Sequence, residues 1–159
     1  MLRRREYEEL VYGLTARFPA IRLSTLVVAP SANSIARVTG TVALGEDIVL
    51  CMHELVDFRQ GCILSYRYEV TRSIPPFVEK ALPSADEYCA VHYAGKDKLY
   101  WYDSQPHPDD PTLQSTHPHH KHIPPDLKHN RIPAPGLSFT APNLPLLIEE
   151  IQALLQTAE

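Results

Sequence analysis

The segment from residue 116 to residue 131, THPHHKHIPPDLKHNR, contains five of the eight histidines of this chain. It also carries Lys121, Lys128 and Arg131. Neutral imidazole is a common metal ligand, and an imidazole that titrates near neutrality acts well as a general base or acid. A solvated polar loop is the third interpretation, although five histidines are rarely concentrated in this way. The segment is therefore the first candidate for a functional site.

The spacing of the histidines gives only limited support to a metal ion. His117, His119, His120 and His122 lie close together in sequence, but neither a C-x-x-C pair nor an H-E-x-x-H motif accompanies them. In an extended chain His120 and His122 would face one way, and His119 and Lys121 the other. We therefore expect no cofactor, with a divalent metal ion at the histidine cluster as the alternative.

Phosphodiester chemistry suits the same segment. One histidine would remove the 2′-hydroxyl proton of RNA, and another would protonate the departing 5′ oxygen. Lys121, Lys128 and Arg131 would then stabilise the added negative charge of the phosphorane. His107, in SQPHPDDP, would join the site if the segment folds back. This chemistry depends on the elements that position the segment.

Those elements predict a single domain, residues 1–159, because this length is sufficient for one buried core. The helical spacing of Tyr7, Val11 and Leu14 predicts a helix over residues 3–17. A second amphipathic helix follows Asn143, its predicted N-cap. Strands are predicted at 21–29, 35–44, 48–58, 61–72, 88–94 and 98–103, and a short helix after Pro76. The fold class is α+β: a mostly antiparallel sheet of about six strands, amphipathic helices at both ends, and a long Pro/His-rich loop.

Two acidic residues of the predicted strands stand out. Glu54 shares the parity of apolar residues on its strand, and we expect it opposite Tyr66, with Tyr68 on the same side. The same register places Val56 opposite Leu64 and Phe58 opposite Cys62. A partly dry position beside phenols would perturb the pKa of Glu54, whereas a position at the rim of the sheet would leave it solvated.

Asp103 ends the strand that precedes the Pro-rich segment. It is either a strand-end cap or a carboxylate of the site, and sequence alone favours the cap. If residues 88–94 and 98–103 form a hairpin, Asp103 lies opposite Ala90, and Trp101 lies opposite His92.

Composition limits the protein class. A net charge of −4 argues against a uniformly basic nucleic-acid binder, although a local positive patch is compatible with it. The three isolated cysteines, Cys51, Cys62 and Cys89, are predicted to be buried thiols in a reducing compartment. Without a signal-length or membrane-spanning apolar segment, we expect a cytoplasmic protein that does not contact the membrane.

Three motifs carry a resemblance to a known family. YWYDSQPHPDDPTL, THPHHKHIPPDLK and PNLPLLIEEIQALL resemble the TumE toxins of prokaryotic toxin–antitoxin modules, as does the upstream HELVDFRQGCILSYRYEV. The resemblance covers about residues 48–155, and PHHKH is its most specific part. The polar residues that match are Glu54, Tyr66, Tyr68, Asp103, His107, His119, His120, Lys121 and His122. His117 stands where relatives more often have an aromatic residue.

The resemblance implies a toxin that arrests growth and is neutralised by a cognate antitoxin protein, and it implies RNA cleavage by analogy. Our main hypothesis is a metal-independent ribonuclease with His119 or His122 as base and acid and Lys121 as electrostatic stabiliser. Glu54 would orient an imidazole or share the proton transfer. The remaining candidates are assigned to substrate binding: Tyr66, Tyr68, Asp103, His107, His120, Lys128 and Arg131. A metal-dependent hydrolase or nuclease and a non-enzymatic binding module are the alternatives. The sequence does not determine the oligomeric state.

Overall fold

The computed structural model describes residues 1–72 and 98–157. The strand predicted at 88–94, its pairing with 98–103, the short helix after Pro76 and Cys89 lie outside these residues. The described helices are α1 (Arg4–Tyr12), α2 (Leu14–Arg17), a 3-10 helix (Pro111–Thr116) and α3 (Leu144–Thr157). The described strands are β1 (Ile21–Ser24), β2 (Val27–Ala32), β3 (Ile35–Leu44), β4 (Ile48–Asp57), β5 (Cys62–Arg72), β6 (Lys98–Asp103), β7 (His120–His122) and β8 (Arg131–Pro133).

The strands form one open antiparallel sheet in the order β1-β3-β4-β5-β6-β7-β8, and β2 pairs with the rest of the β3 edge that β1 occupies. The predicted α+β class with a helix at each end is confirmed. Five of the six predicted strands lie within the described residues, which contain eight strands for two reasons. The stretch from residue 21 to 32 is divided between β1 and β2, and the Pro-rich segment contributes β7 and β8.

One face of the sheet, which we call the helix-covered face, packs against the helices. Alternation along β4 and β5 brings Leu50, Met52 and Val70 to this face. Tyr7 and Val11 of α1 and the apolar stripe of α3 complete the same core. The buried part of that stripe is Leu144, Leu147, Ile148 and Ile151. We call the other side of the sheet the opposite face.

The pairing of β4 with β5 differs from the prediction only close to the turn that joins the two strands. Glu54 pairs with Tyr66, as predicted. A bulge then shifts the pairing, so that Val56 lies opposite Ile63 rather than Leu64, and Cys62 lies opposite Asp57 rather than Phe58. Asp57 holds the turn that follows by accepting hydrogen bonds from the backbone N–H groups of Arg59 and Gln60.

The Pro- and His-rich segment is more regular than the prolines suggest. β7 pairs with β6, which places Trp101 opposite His122 and Asp103 opposite His120. β8 pairs with the other edge of β7. Pro133 ends β8 opposite His120, and the other prolines flank these short strands, so the histidines become part of the sheet.

Two smaller expectations have mixed outcomes. Cys51 is buried as predicted, but Cys62 is only half-buried because it lies at the turn before the bulge. Within residues 1–72 and 98–157, no helix has the length and apolar character needed to cross a bilayer.

Candidate active site on two faces of the sheet

Glu54 lies in the core of the helix-covered face, with only 3% of its surface exposed. Its two carboxylate oxygens accept hydrogen bonds from the hydroxyl groups of Tyr7 and Tyr68. Asn143 donates to the Tyr68 hydroxyl over 2.9 Å. Burial raises the pKa of Glu54 to about 7, although the hydrogen bonds from Tyr68 and Tyr7 oppose the rise. The prediction from strand parity is confirmed, and the solvated alternative at the rim is excluded.

His119 and Lys121 belong to the same side of the sheet as Glu54. A hydrogen bond of 2.6 Å joins Nδ1 of His119 to the hydroxyl of Tyr66, whose ring stacks on Tyr68. Burial lowers the pKa of His119. Lys121 forms an ion pair with Glu150 of α3. The predicted orientation of His119 and Lys121 on one side is therefore observed.

A second group of side chains lies on the opposite face. We call Asp103, His107, His120 and His122 the imidazole cluster. Nε2 of His120 lies 3.0 Å from Oδ1 of Asp103, and Nε2 of His122 lies 3.3 Å from Oδ2. The two Nε2 atoms are 3.0 Å apart. The ring of His107 meets that of His120 edge to face, with the ring centres 4.8 Å apart.

The backbone fixes the tautomers of the two central imidazoles. Nδ1 of His120 lies 2.9 Å from the carbonyl oxygen of Pro118, and Nδ1 of His122 lies 2.7 Å from that of Leu127. A carbonyl oxygen only accepts, so both Nδ1 atoms carry a proton and donate it. Each imidazole, when neutral, therefore presents a bare Nε2 lone pair to Asp103 and to the other ring.

Asp103 and His120 each stabilise the charged form of the other. Burial of the Asp103 carboxyl group would by itself raise its pKa, but hydrogen bonds from His120 and His122 outweigh burial and hold the pKa well below its usual range. Burial lowers the pKa of His120, yet the hydrogen bonds to Asp103 and to the Pro118 carbonyl give a net rise. The site thus favours a carboxylate beside an imidazolium.

The cluster adjoins a cleft of about 490 Å³. The cleft is lined by His107, by Arg131 and by the residues from Pro106 to Pro111. Nε of Arg131 is buried and has no hydrogen-bond partner among the residues that the structure describes. Burial lowers the pKa of His107, and the charge of Arg131 lowers it further.

The predicted site residues thus form two groups rather than one. Glu54, Tyr66, Tyr68, His119 and Lys121 lie on the helix-covered face. Asp103, His107, His120, His122 and Arg131 lie on the opposite face. Lys128 is exposed in the turn between β7 and β8, where its carbonyl oxygen accepts from Arg131. The structure does not bring Glu54, His119, Lys121 and His122 to one centre, because neighbouring residues of a strand point to opposite faces.

Sequence reasoning missed three contributors. Tyr7 reaches Glu54 from α1. Asn143 precedes α3 at the predicted N-cap position, but its side chain hydrogen-bonds Tyr68 and Ser138. Trp101 stacks on His122 with 4.1 Å between ring centres and donates to Asp103. Only the position of Trp101, on the same face and two residues before Asp103, was visible in the strand pattern.

The structure shows what the Asp103 carboxylate contacts. It accepts from the backbone N–H of Gln105 as a strand-end cap, and it contacts both imidazoles of β7.

A family model described as toxin TumE matches residues 14–155 of this chain. The chain belongs to the TumE toxin family. Neither the curated proteins nor the solved structures contain a match.

Membership of the TumE family confirms the resemblance seen in the sequence and assigns the chain to toxins of the toxin–antitoxin type. It implies a cognate antitoxin as partner. The family match spans both groups of candidate residues except Tyr7, so it does not select one face of the sheet over the other.

Proposed function

We propose that this TumE family toxin arrests growth by cleaving RNA at the cleft beside the imidazole cluster. The observation that carries the proposal is the cleft itself, because an imidazole, His107, and a guanidinium, Arg131, both line it. An imidazole for proton transfer and a cation for phosphate are the two groups that phosphodiester cleavage needs.

In the proposed reaction, Arg131 binds the phosphate next to the scissile bond. His107 accepts the proton of the 2′-hydroxyl group as that oxygen attacks phosphorus, and the bond from phosphorus to the 5′ oxygen breaks. The departing 5′ oxygen takes a proton from solvent in the open cleft. The products are a 2′,3′-cyclic phosphate and a free 5′-hydroxyl end. No metal ion takes part in these reaction steps.

The rest of the cluster acts by positioning His107 and by compensating charge. Carboxylates beside the cleft repel RNA, and those of Asp109 and Asp110 line the cleft itself. Asp103 is instead bonded to two imidazoles. His120 is also in ring contact with His107, which it holds at the edge of the cleft. Asp103 and His120 are therefore positioning residues in this proposal.

A groove on the same face offers a path for the neighbouring nucleotides. It has a volume of about 330 Å³ and is lined in part by Arg37, His53 and Arg67. Arg67 pairs with Asp103 across β5 and β6, so the groove lies next to the cluster. Arg37 attracts the phosphate backbone in spite of the negative net charge, whereas the charge of Arg67 is paired with that of Glu69.

This proposal moves the reaction away from Glu54, His119 and Lys121. Glu54 is enclosed by tyrosines, and Lys121 is paired with Glu150 on the helix-covered face. The proposal retains the imidazole chemistry predicted from the sequence and keeps Arg131 as a phosphate contact. Unlike a non-enzymatic binding module, it requires that a phosphodiester bond of RNA is cleaved.

The test is cleavage of a short RNA by purified protein in EDTA, with mass spectrometry of the products. We expect His107→Ala to lower the rate by about 100-fold or more. Arg131→Gln should also lower the rate, and Arg131→Lys should restore it only in part, because lysine lacks the planar fork of donors. A substrate with 2′-deoxyribose at the cleavage site should be resistant.

His129→Ala provides the matched control, because His129 lies in the same segment but in an exposed pair with Asp126. Undiminished cleavage by His107→Ala, or cleavage of the deoxy-substituted substrate, would overturn the proposed reaction. Growth arrest that persists in His107→Ala cells without any RNA cleavage would favour the binding module.

A further inference from the structure

We infer that Asp103, His120 and His122 form a binding site for one divalent transition-metal ion of the zinc class. The inference goes beyond the proposed reaction, which uses no metal ion, and it does not depend on RNA cleavage. It rests on the distances between donor atoms, on their tautomers and on their enclosure.

The spacing of the three donors matches the edges of a coordination polyhedron. Zinc lies about 2.0–2.2 Å from nitrogen and oxygen ligands, so two ligands of one ion are roughly 3.0–3.5 Å apart. The two Nε2 atoms are 3.0 Å apart, and they lie 3.0 Å and 3.3 Å from the two different oxygens of the Asp103 carboxylate. An ion between the two nitrogens and this carboxylate needs little movement of the side chains.

The tautomers direct the Nε2 lone pairs of His120 and His122 towards the position that the ion would occupy. Because both Nδ1 atoms donate to backbone carbonyl groups, both Nε2 lone pairs are directed at Asp103 and at each other. Lone pairs that face each other at this distance repel unless a proton or a cation lies between them. A hydrogen bond from Nδ1 to a carbonyl group is also the usual support of a metal-bound histidine.

His107 completes the arrangement. Its ligating nitrogen lies within 4.8 Å of donor atoms of Asp103 and His120. Two imidazoles and a carboxylate on one side, with open positions on the other, form a recognised ligand set for divalent transition metals. His107 stands on the open side, where a fourth ligand or a bound water would lie.

The cluster is also enclosed in the way that a specific site requires. His120 is 1% exposed and His122 is 4% exposed, and the indole ring of Trp101 covers His122. Asp126 and His129 form a histidine–carboxylate pair of similar length, 2.8 Å, but both are exposed, and within residues 1–72 and 98–157 no second imidazole is bonded to the pair. The exposed pair is therefore the internal control.

The experiment is a titration of untagged protein, first treated with chelator, with Co²⁺ alone and then with Zn²⁺ in competition. Trp101 is the single tryptophan of the chain, so its fluorescence reports directly on the cluster. We expect one equivalent of Co²⁺ to quench this fluorescence and to produce a visible absorption band, and Zn²⁺ to displace it. Affinity should fall at lower pH, because protons compete for the same lone pairs.

Two variants and one control test whether these residues bind the ion. His122→Ala and Asp103→Asn should lower the affinity by about 10-fold or more, whereas His129→Ala should bind like the unmodified chain. Substoichiometric binding to the unmodified chain, or His122→Ala that binds equally well, would overturn the inference.

A second measurement covers the case in which a variant fails to fold. In ¹⁵N NMR spectra of the unmodified chain, Zn²⁺ should shift the imidazole signals of the buried His120 and His122 but not those of His117 or His129. Unchanged signals of His120 and His122 would overturn the metal site. Neither result affects the proposed RNA cleavage, which is measured separately in EDTA.

Discussion

Glu54 and Asp103 are two carboxyl groups on opposite faces of the same sheet, and the protein shifts their pKa values in opposite directions. Burial raises the pKa of Glu54 to about 7. Asp103 is also partly buried, yet its hydrogen bonds to His120 and His122 lower its pKa. The partners of Glu54 are phenols, whereas the partners of Asp103 are imidazoles.

The difference shows what kind of partner a buried carboxylate needs. A phenol donates a hydrogen bond but brings no positive charge, so it offsets only part of the cost of desolvation. An imidazole can take up a proton and become a counter-ion. The helix-covered face therefore contains a carboxyl group close to neutralisation, and the opposite face contains an ionised one.

The largest effect on stability should come from removing the counter-ion on the opposite face. Asp103→Ala leaves His120 and His122 enclosed without their carboxylate, and we expect a loss of about 4 kcal/mol in the free energy of unfolding. Urea denaturation measures it. Asp126→Ala, which removes the carboxylate of the exposed pair, should change stability little. Equal effects of the two substitutions would contradict the comparison.

The pH dependence of stability should distinguish Glu54 from ordinary carboxyl groups. Because the folded protein holds the Glu54 proton more tightly than the unfolded chain does, the stabilisation is present below the usual pKa of 4.5 and is lost as the pH rises through about 7. The stability of the unmodified chain relative to Glu54→Gln should fall by up to about 3 kcal/mol between pH 5 and pH 8.

Denaturant titrations of both proteins at several pH values test this expectation. Taking the difference between them removes the contributions of groups that titrate alike in both, including His119 and His120. Parallel pH profiles for the two proteins would show that Glu54 titrates normally.

Removing a phenol should have a smaller effect. Tyr68→Phe deletes a donor to Glu54 and an acceptor for Asn143, and we expect a loss of about 2 kcal/mol. The same substitution at Tyr66, whose hydroxyl contacts His119 in a less buried position, should cost less. Thermal denaturation of the two variants measures the contrast, and a larger loss for Tyr66→Phe would reverse it.

The smallest effect is expected at Lys121. Lys121→Met removes a partly exposed ion pair with Glu150, so stability should fall by less than about 1 kcal/mol. RNA cleavage should not change, because the side chain lies on the face away from the cleft. A loss of cleavage comparable with that of Arg131→Gln would return the reaction to the helix-covered face.

Strand periodicity predicted the fold class and the residues that face each other near Glu54. It also predicted that His120 and His122 point away from His119 and Lys121. The bulge in β5 was not predictable, because an extra residue leaves no mark in a short apolar run. The contact of Tyr7 with Glu54 was equally hidden, since alternation on a strand says nothing about which helix covers it.

The two faces of the candidate site were combined in the sequence-based prediction for a related reason. The prolines between residues 106 and 145 indicated a loop, and a loop places no restriction on where its histidines go. Once β7 pairs with β6, each imidazole is assigned to a face. Asp103, judged more a cap than a site residue, then becomes the nearest carboxylate to His120.

The hydrogen bond from Tyr7 to Glu54 has a practical consequence for anyone expressing this toxin. The family match begins at residue 14, whereas Tyr7 and Val11 are both buried in the core. A protein trimmed to residues 14–155 would lose α1, expose the apolar surface beneath it and leave one oxygen of the Glu54 carboxyl group without its donor. Studies of activity or antitoxin binding should therefore keep the first thirteen residues.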